Sequence, residues 1–301
     1  MLVIPAYAKL NLALEVVARR SDGWHDIDTL IVPIDWHDLV GVEVVNDSDV
    51  DGPPAVAVTR STSPGGDAAA HAIAPHDNLA AKAAALLVGL APGHQMRLRV
   101  WLEKRIPIAG GLGGGSADAA ATLRAGARLL ARHGVDVDGS DLADAARELG
   151  SDVPALLERH AVRATGRGEH VSRVTIRTLD CVVVFVAPSF THDVYAAVLR
   201  DECRDTGRIT RLAGALAAGS GLDDELLGSA LEAAAFRINP ELASGAARLR
   251  SALPDVAWHM TGSGGAFFAM ARDPVHAAAL AGTARTAGFA SRACRTMRGS
   301  G

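Results

Sequence analysis

Between Ala8 and Val16 the chain alternates: Leu10, Leu12 and Leu14 fall on one side of an extended backbone, Lys9, Asn11 and Glu15 on the other. That is the period of a strand with one face in a core. Lys9 and Asn11 therefore share a face, opposite the leucines. The run IDTLIVPIDWHDLVGVEVV (residues 27–45) predicts one or two further strands. Residues 46–77, rich in Gly, Pro, Ser and Asp, predict hairpin and loop. NLAAKAAALLVGL (78–90) predicts a helix, and MRLRVWLEKRIPI (96–108) a strand with Leu98, Val100 and Leu102 on one side.

Helices are predicted over 116–133 and 140–149, the second with Gly150 as its C-cap. A third opens at Asp152, with Pro154 in its first turn. VTIRTLDCVVVFVAPS (174–189) supplies strands, and helices follow at about 192–202, 209–218, 224–235 and 239–252. WHMTGSGGAFFAMA (258–271) reads as strand, glycine turn, strand, before a last helix over about 274–287. Strands are grouped and do not strictly alternate with helices. The expectation is α+β in two lobes, 1–170 and 171–301, divided near residues 160–175.

A chain of 301 residues holds one large domain or two ordinary ones. Its net charge of −4, with acids and bases mixed, argues against nucleic acid or an anionic membrane as partner. Three cysteines, Cys181, Cys203 and Cys294, without a CxxC pair, argue against a disulfide framework or zinc site and fit a reducing compartment. The start, MLVIPAYAKLNLALEV, lacks a basic n-region and is not read as a secretory leader. Apolar runs such as CVVVFVAP are far too short to span a membrane, so a cytoplasmic location is expected. The basic side chains are nearly all arginine; the only lysines are Lys9, Lys82 and Lys104.

IPIAGGLGGGSADAAATLRAG (106–126) places five glycines between Gly110 and Gly115 and then turns alanine-rich. Glycine costs conformational entropy on folding, so the run needs a reason. A strand, a glycine loop and a helix in that order can bind an anion, since glycine N–H groups and the helix N-terminus converge on it. A structural hinge or tight packing site is the alternative. A Walker A loop is excluded because no glycine here is followed by lysine. The Rossmann GxGxxG is excluded too: counting from Gly111 or Gly113, its last position holds Ser116 or Asp118. No histidine shows metal-ligand spacing, and no protein-built metal site is expected.

KRIPIAGGLGGGSADAA (104–120) resembles the phosphate loop of the GHMP kinases, which include galactokinase and the homoserine, mevalonate and phosphomevalonate kinases. AYAKLNLALEVVARRSDGWHDIDTLI (6–31), LGSDVPALLERHAVRATGRGE (149–169) and MTGSGGAFFA (260–269) resemble three further motifs, in family order. The resemblance implies a two-lobed α+β GHMP kinase fold, with an N-terminal lobe like that of a ribosomal protein and a ferredoxin-like C-terminal lobe. It implies ATP along Pro107, Gly110, Gly111, Leu112, Gly113, Gly114, Gly115 and Ser116, with Asn78 at the adenine and Mg²⁺ arriving with the nucleotide. Read without the resemblance, Ser116 and Asn78 serve equally as helix caps.

The same resemblance makes Asp152 the acceptor of the attacking hydroxyl's proton, with Lys9 paired to it beside the transferred phosphoryl group. Capping alone also explains Asp152. Asn11, Asp22, Trp24 and His25 fall in the substrate region, where an aromatic stacks on cytosine and a histidine bonds its edge. Asp22-Gly23 could otherwise be a plain turn followed by a core tryptophan. The resemblance also implies that Gly262, Ser263 and Gly264 close over the substrate's polar end; as a bare tripeptide they could equally turn a β-hairpin. The implied acceptor is the 2-hydroxyl of 4-diphosphocytidyl-2-C-methyl-D-erythritol, turned over by a monomer or homodimer.

The chain departs from the family where Trp24 replaces tyrosine, Ala117 a second serine, and Ser229-Ala230 an Asn-Asp pair; PSFTHDVY (188–195) looks like a shortened family segment. These departures keep open a paralogue acting on another small alcohol; the other rival is a fold-mate that holds nucleotide without turnover, against which the presence of both Lys9 and Asp152 argues.

Overall fold

The computed structural model describes residues 1–46, 56–61, 77–91 and 96–297. Most of the expected hairpin and loop over 46–77 lies outside the described residues. In chain order the regular elements are β1 (Leu2–Arg19), β2 (His25–Asn46), β3 (Val56–Ser61), α1 (Leu79–Gly89), β4 (Met96–Lys104), α2 (Gly114–Arg132), α3 (Gly139–Leu149) and α4 (Val153–Glu158). There follow β5 (Val162–Gly166), β6 (His170–Arg173), β7 (Asp180–Phe185), α5 (Thr191–Ala196), α6 (Arg208–Ala217), β8 (Gly228–Ser229) and α7 (Glu232–Ile238). The chain ends with α8 (Pro240–Ala252), β9 (His259–Met260), β10 (Ala266–Ala271), α9 (Pro274–Thr286) and β11 (Ala290–Arg295). No helix among the described residues is long and apolar enough to cross a membrane.

Two compact units result. One takes Met1–Ala8, Trp36–Ile108 and Gly113–Glu158; the other takes Lys9–Asp35, Ala109–Leu112 and everything from Arg159 on. The chain thus leaves the first unit for good at Glu158, and the glycine loop changes unit between Leu112 and Gly113.

In the first unit β4 pairs antiparallel with the second half of β2, from Leu39↔Glu103 to Asn46↔Met96, and parallel with β3. Period-2 burial along β4 turns Leu98, Val100 and Leu102 inward, and the same phase carries Lys104 inward at the strand end. The apolar row packs with α1–α4 in a core built largely of alanine, including Ala80, Ala83, Ala120, Ala121 and Ala125. Such small side chains let helices approach closely: a Cβ on Gly126 of α2 would stand 2.4 Å from Leu87 Cδ1 and 3.0 Å from Leu98 Cδ1.

In the second unit the strand order is β8-β1-β2-β5-β6, with β8 parallel to β1 and β5 antiparallel to β2. A four-stranded antiparallel sheet, β11-β7-β10-β9, forms the rest. Val182, Val184, Phe267 and Ala269 on one face of that sheet join Leu242, Ala246 and Leu249 of α8 and Leu280, Ala281 and Ala284 of α9 in a single core.

Four expectations change in detail. The polar face of β1 is not solvated: Lys9, Asn11 and Glu15 are as buried as the leucines, because other parts of the second unit cover them. Helix α2 begins at Gly114, not Ser116. The predicted helix over 224–235 is interrupted, since Gly228-Ser229 must be extended to pair with Ala13-Leu14 of β1; regular helix resumes only at Glu232. The helix over 192–202 likewise stops at Ala196, and Arg200–Glu202 form a separate 3₁₀ turn. Strand β11, ASRACR, went unforeseen because its mostly polar residues show no apolar alternation.

Gly126→Val fills space already held by two buried leucines, so it should destabilise the chain by ~2–3 kcal/mol despite valine's lower backbone entropy cost. Thermal unfolding measures this; an unchanged melting temperature would show that the α1–α2 contact is loose.

Candidate active site

Two glycine segments distant in sequence meet in the second unit. A Cβ on Gly111 would lie 2.4 Å from the Gly264 carbonyl oxygen and 2.7 Å from that of Thr261. A Cβ on Gly265 would lie 2.3 Å from the Ala109 oxygen and 2.6 Å from Gly110 Cα. Both are backbone contacts that cannot swing aside. Gly111, Gly264 and Gly265 also have φ of +70°, +101° and +95°, the region that excludes most side chains. At Gly111, therefore, protein backbone takes the room that a side chain would need. Ser189 N–H donates to the Ala109 carbonyl (2.8 Å), and Ser189 Oγ donates to the Ser263 carbonyl (2.8 Å). Ser263 Oγ shares a 2.8 Å hydrogen bond with Thr191 Oγ1, and Ser229 Oγ donates to the Gly262 carbonyl at 2.6 Å.

Lys9 and Asn11 sit under this junction. Lys9 N–H donates to the Leu112 carbonyl (3.0 Å), tying β1 to the first half of the loop. Lys9 Nζ donates to Asn11 Oδ1 (2.5 Å). Asn11 Nδ2 donates to Thr29 Oγ1 (2.8 Å), which itself donates to the Ala13 carbonyl, so the amide's orientation is set. Asn11 N–H reaches Thr261 Oγ1 at 2.8 Å. The position of a Cβ on Gly262 is 3.2 Å from Lys9 Nζ and 2.9 Å from Asn11 Oδ1. Strand β1, the glycine loop and the turn at Gly262–Gly264 thus meet around Lys9. Thr29, Thr261, Ser189 and Thr191 are members that the sequence reading did not name as site residues; all four lie inside quoted segments, but their hydroxyls were given no role.

The second half of the loop belongs to the first unit. Gly113 (φ +69°) caps α2 without a side-chain bond, and Ala117 N–H makes the first helical hydrogen bond to its carbonyl. The N-terminal turn of α2 is therefore not closed by a capping side chain, which suits an anion. Ser116 is in the first turn and is not the cap. Gly115 is exposed, and its nearest neighbour at a Cβ position would be Leu79 Cδ1 at 3.9 Å. Asn78 does cap α1, accepting from Ala80 N–H at 2.9 Å. Pro107 and Leu112 are buried. Asp152 directly precedes α4, its carbonyl accepting from Leu156 N–H, and α4 is fastened to α2 through Arg124 Nη1 and the Leu156 carbonyl (3.0 Å).

Beneath the loop's two ends in that unit lies a buried ionic cluster. Lys104 Nζ donates to Asp38 Oδ2 and, at 2.5 Å, to Asp118 Oδ2. Asp38 Oδ1 also accepts from the N–H groups of Arg105 and Ile106, the latter at 2.8 Å. Burial pushes Asp118 up to about 7; Lys104 opposes this and Asp38 adds to it. Burial alone would lower Lys104, but the two carboxylates outweigh it and hold the ammonium charged.

At the other end of β1, Asp22 Oδ1 accepts from Trp24 N–H (3.1 Å) and Asp22 Oδ2 pairs with Arg20 (3.2 Å), so Asp22 builds the turn itself. Trp24 is 51% exposed and no core residue; the Arg167 guanidinium covers one face of its indole at 3.8 Å from the ring centroid. His25 is buried, with Nε2 lacking a partner and its ring 5.5 Å from that of Tyr195. Burial, then Arg19, lowers its pKa and keeps the imidazole neutral. Among the described residues no group of three or more His, Cys, Asp or Glu lies together as a metal site.

A glycine loop between strand and helix, closed by a second glycine turn in a two-lobed α+β frame, defines the GHMP kinase class, and residues 78–159 match the GHMP kinases N terminal domain. The crystal structure of L. major mevalonate kinase shares the fold with a TM-score of 0.68 at 16% identity, covering 100% of this chain and 97% of that one. The 4-diphosphocytidyl-2-C-methyl-D-erythritol kinase of Thermus thermophilus is 36% identical over 286 residues, 95% of this chain and 93% of its own. A crystal structure of 4-(cytidine 5'-diphospho)-2C-methyl-D-erythritol kinase matches with a TM-score of 0.76 at 34% identity, covering 99% and 100% of the two chains. The chain belongs to the family of the 4-diphosphocytidyl-2-C-methyl-D-erythritol kinases. With the Anaeromyxobacter dehalogenans member, 41% identical, the match spans 68% of this chain but 61% of the relative's length.

Two outcomes are expected. Gly265→Ala must displace the backbone of Ala109 and Gly110 and adopt a strained φ, so it should cost about 3 kcal/mol and lower the melting temperature; an unchanged value would mean the two glycine segments do not interlock. The second concerns pH. From its ordinary 3.8 to about 7, native Asp118 keeps a proton that the unfolded chain has released. Stability should therefore fall as pH rises through that window and level off above it. Asp118→Asn removes this slope, so the melting-temperature difference between variant and parent should favour the variant more at pH 8 than at pH 5. A difference independent of pH would contradict the assignment.

Proposed function

We propose that the chain transfers the terminal phosphoryl group of ATP to the 2-hydroxyl of 4-diphosphocytidyl-2-C-methyl-D-erythritol. The observation that carries the reading is the convergence of Lys9, Asn11, the glycine loop and the Gly262–Gly264 turn in a chain that aligns with 93% of the Thermus kinase. The loop's N–H groups and the start of α2 receive the nucleotide phosphates, and Ser116 offers its hydroxyl to phosphate or to the Mg²⁺ that accompanies them. ATP supplies the phosphoryl group and the leaving diphosphate. Asp152 accepts the proton of the attacking hydroxyl as its oxygen bonds to phosphorus and the bond to ADP breaks. Lys9, oriented by Asn11, offsets charge on the transferred group. The transition state of such a transfer is loose, so positioning and charge matter more than activation of the nucleophile.

Trp24 presents one indole face to the cytosine while Arg167 covers the other. His25, neutral and with Nε2 unpartnered, is suited to bond the base edge. Tryptophan serves this purpose as tyrosine does, because stacking needs only an aromatic face and is worth ~1–3 kcal/mol per base.

ADP release should require the cytidyl substrate and should not occur with mevalonate or homoserine. Asp152→Ala should lower kcat by roughly 10²–10⁴-fold while ATP still binds. Release with another alcohol would move the chain to a different acceptor, and unchanged turnover in the variant would remove Asp152 from the chemistry.

A further inference from the structure

The Lys104–Asp38–Asp118 cluster takes no part in that chemistry, and packing does not explain it. Asp38 is satisfied on both oxygens, by Lys104 and by two backbone N–H groups. Asp118 is not: one oxygen receives Lys104, and Oδ1 is buried with no hydrogen-bond partner. A buried carboxylate with a bare oxygen costs stability that an apolar side chain at the same place would not. Its neighbours on α2, Ala117, Ala119, Ala120 and Ala121, are apolar and closely packed. Such a residue calls for a reason other than core filling.

Geometry supplies one. Lys104 is the last residue of β4, at the point where the chain enters the loop, and Asp118 is the fifth residue of α2, where the chain has left it. Asp38, on β2, holds the N–H groups of Arg105 and Ile106, the first two residues beyond the strand. Trp36 Nε1 adds a 3.0 Å bond to the Arg105 carbonyl. Gly114 rests directly on this assembly: its Cβ position is 3.2 Å from Ile106 Cγ2 and 3.6 Å from Lys104 Nζ. A shift of the ammonium therefore displaces the first turn of α2.

We propose that Lys104, clamped between Asp38 and Asp118, is a positioning residue for the phosphate loop, setting the spacing between its entry at Arg105–Ile106 and the first helical turn at Gly114–Ser116. The inference rests on the nucleotide reading of that loop. Asp118 is retained because an ion pair to Lys104 is directional and an apolar contact is not. The clamp acts on nucleotide binding and leaves the acceptor's contacts alone.

The test measures binding of the non-hydrolysable analogue AMPPNP with Mg²⁺ by calorimetry, alongside steady-state kinetics and thermal unfolding. Asp118→Asn keeps shape and the Lys104–Asp38 pair. It should weaken AMPPNP binding and raise the KM for ATP by about ten-fold, with a smaller fall in kcat and no change in the acceptor's KM. The triple variant Lys104→Met, Asp118→Leu and Asp38→Asn replaces the lysine and Asp118 by apolar side chains of similar size and leaves no buried carboxylate without its cation, while the amide oxygen at position 38 can still accept from Arg105 and Ile106. It should keep the melting temperature near that of the parent without keeping nucleotide affinity. Parental affinity in Asp118→Asn, or parental stability and affinity together in the triple variant, would reduce the cluster to a packing feature and overturn the proposal. A parent chain that binds no nucleotide would instead overturn the reading of the loop, and the proposal with it.

Discussion

The carbonyl oxygens of Thr261 and Gly264 occupy the space in which any side chain at Gly111 would stand, and Ala109 and Gly110 do the same to Gly265. This backbone-on-backbone contact joins residues more than 140 positions apart in the sequence, and much of the second unit's arrangement follows from it. It fixes the carbonyl of Leu112 where Lys9 can donate to it, brings Gly262 against Asn11, and leaves the hydroxyls of Ser189, Thr191, Ser229 and Ser263 to secure the turn from outside. Glycine here answers a steric demand made by the protein itself. Farther along the loop the demand changes: Gly113 supplies a left-handed helix entry, and Gly115 stands exposed where a ligand can approach.

Two of the chain's three lysines are buried, and each is held by different chemistry. Lys9 donates to a neutral amide, whose own bond to Thr29 orients it. Lys104 is held between two carboxyl groups, which suits a structural tie and not a phosphate contact. The same residue type is thus held by a neutral amide in one place and by two carboxyl groups in the other.

Much of this was legible in the sequence, for identifiable reasons. The alternation of Leu10, Leu12 and Leu14 and the alanine-rich helix after the glycine run are local patterns, and both appear as read. The shared face of Lys9 and Asn11 followed from period two alone. What stayed hidden depends on partners far away in the chain. Nothing local says that the polar face of β1 is covered, that Gly228-Ser229 must break a helix to pair with Ala13-Leu14, or that Gly111 is opposed by Gly264. Lys104 is an intermediate case: it continues the inward phase of Leu98, Val100 and Leu102, but its partners Asp38 and Asp118 lie 66 and 14 residues away and carry no mark in the sequence.

The proposed reaction is defined by where the phosphoryl group goes, and the acceptor's chemistry offers a direct readout. Carbon 2 of the erythritol carries both a methyl group and the hydroxyl, and so has no hydrogen. Phosphorus-31 NMR of the product formed with ATP should show a new phosphomonoester signal without three-bond coupling to a carbinol proton, beside an intact diphosphate. A proton-coupled phosphomonoester would place the group on a primary or secondary hydroxyl, and its absence while ADP accumulates would mean that this alcohol is not the acceptor.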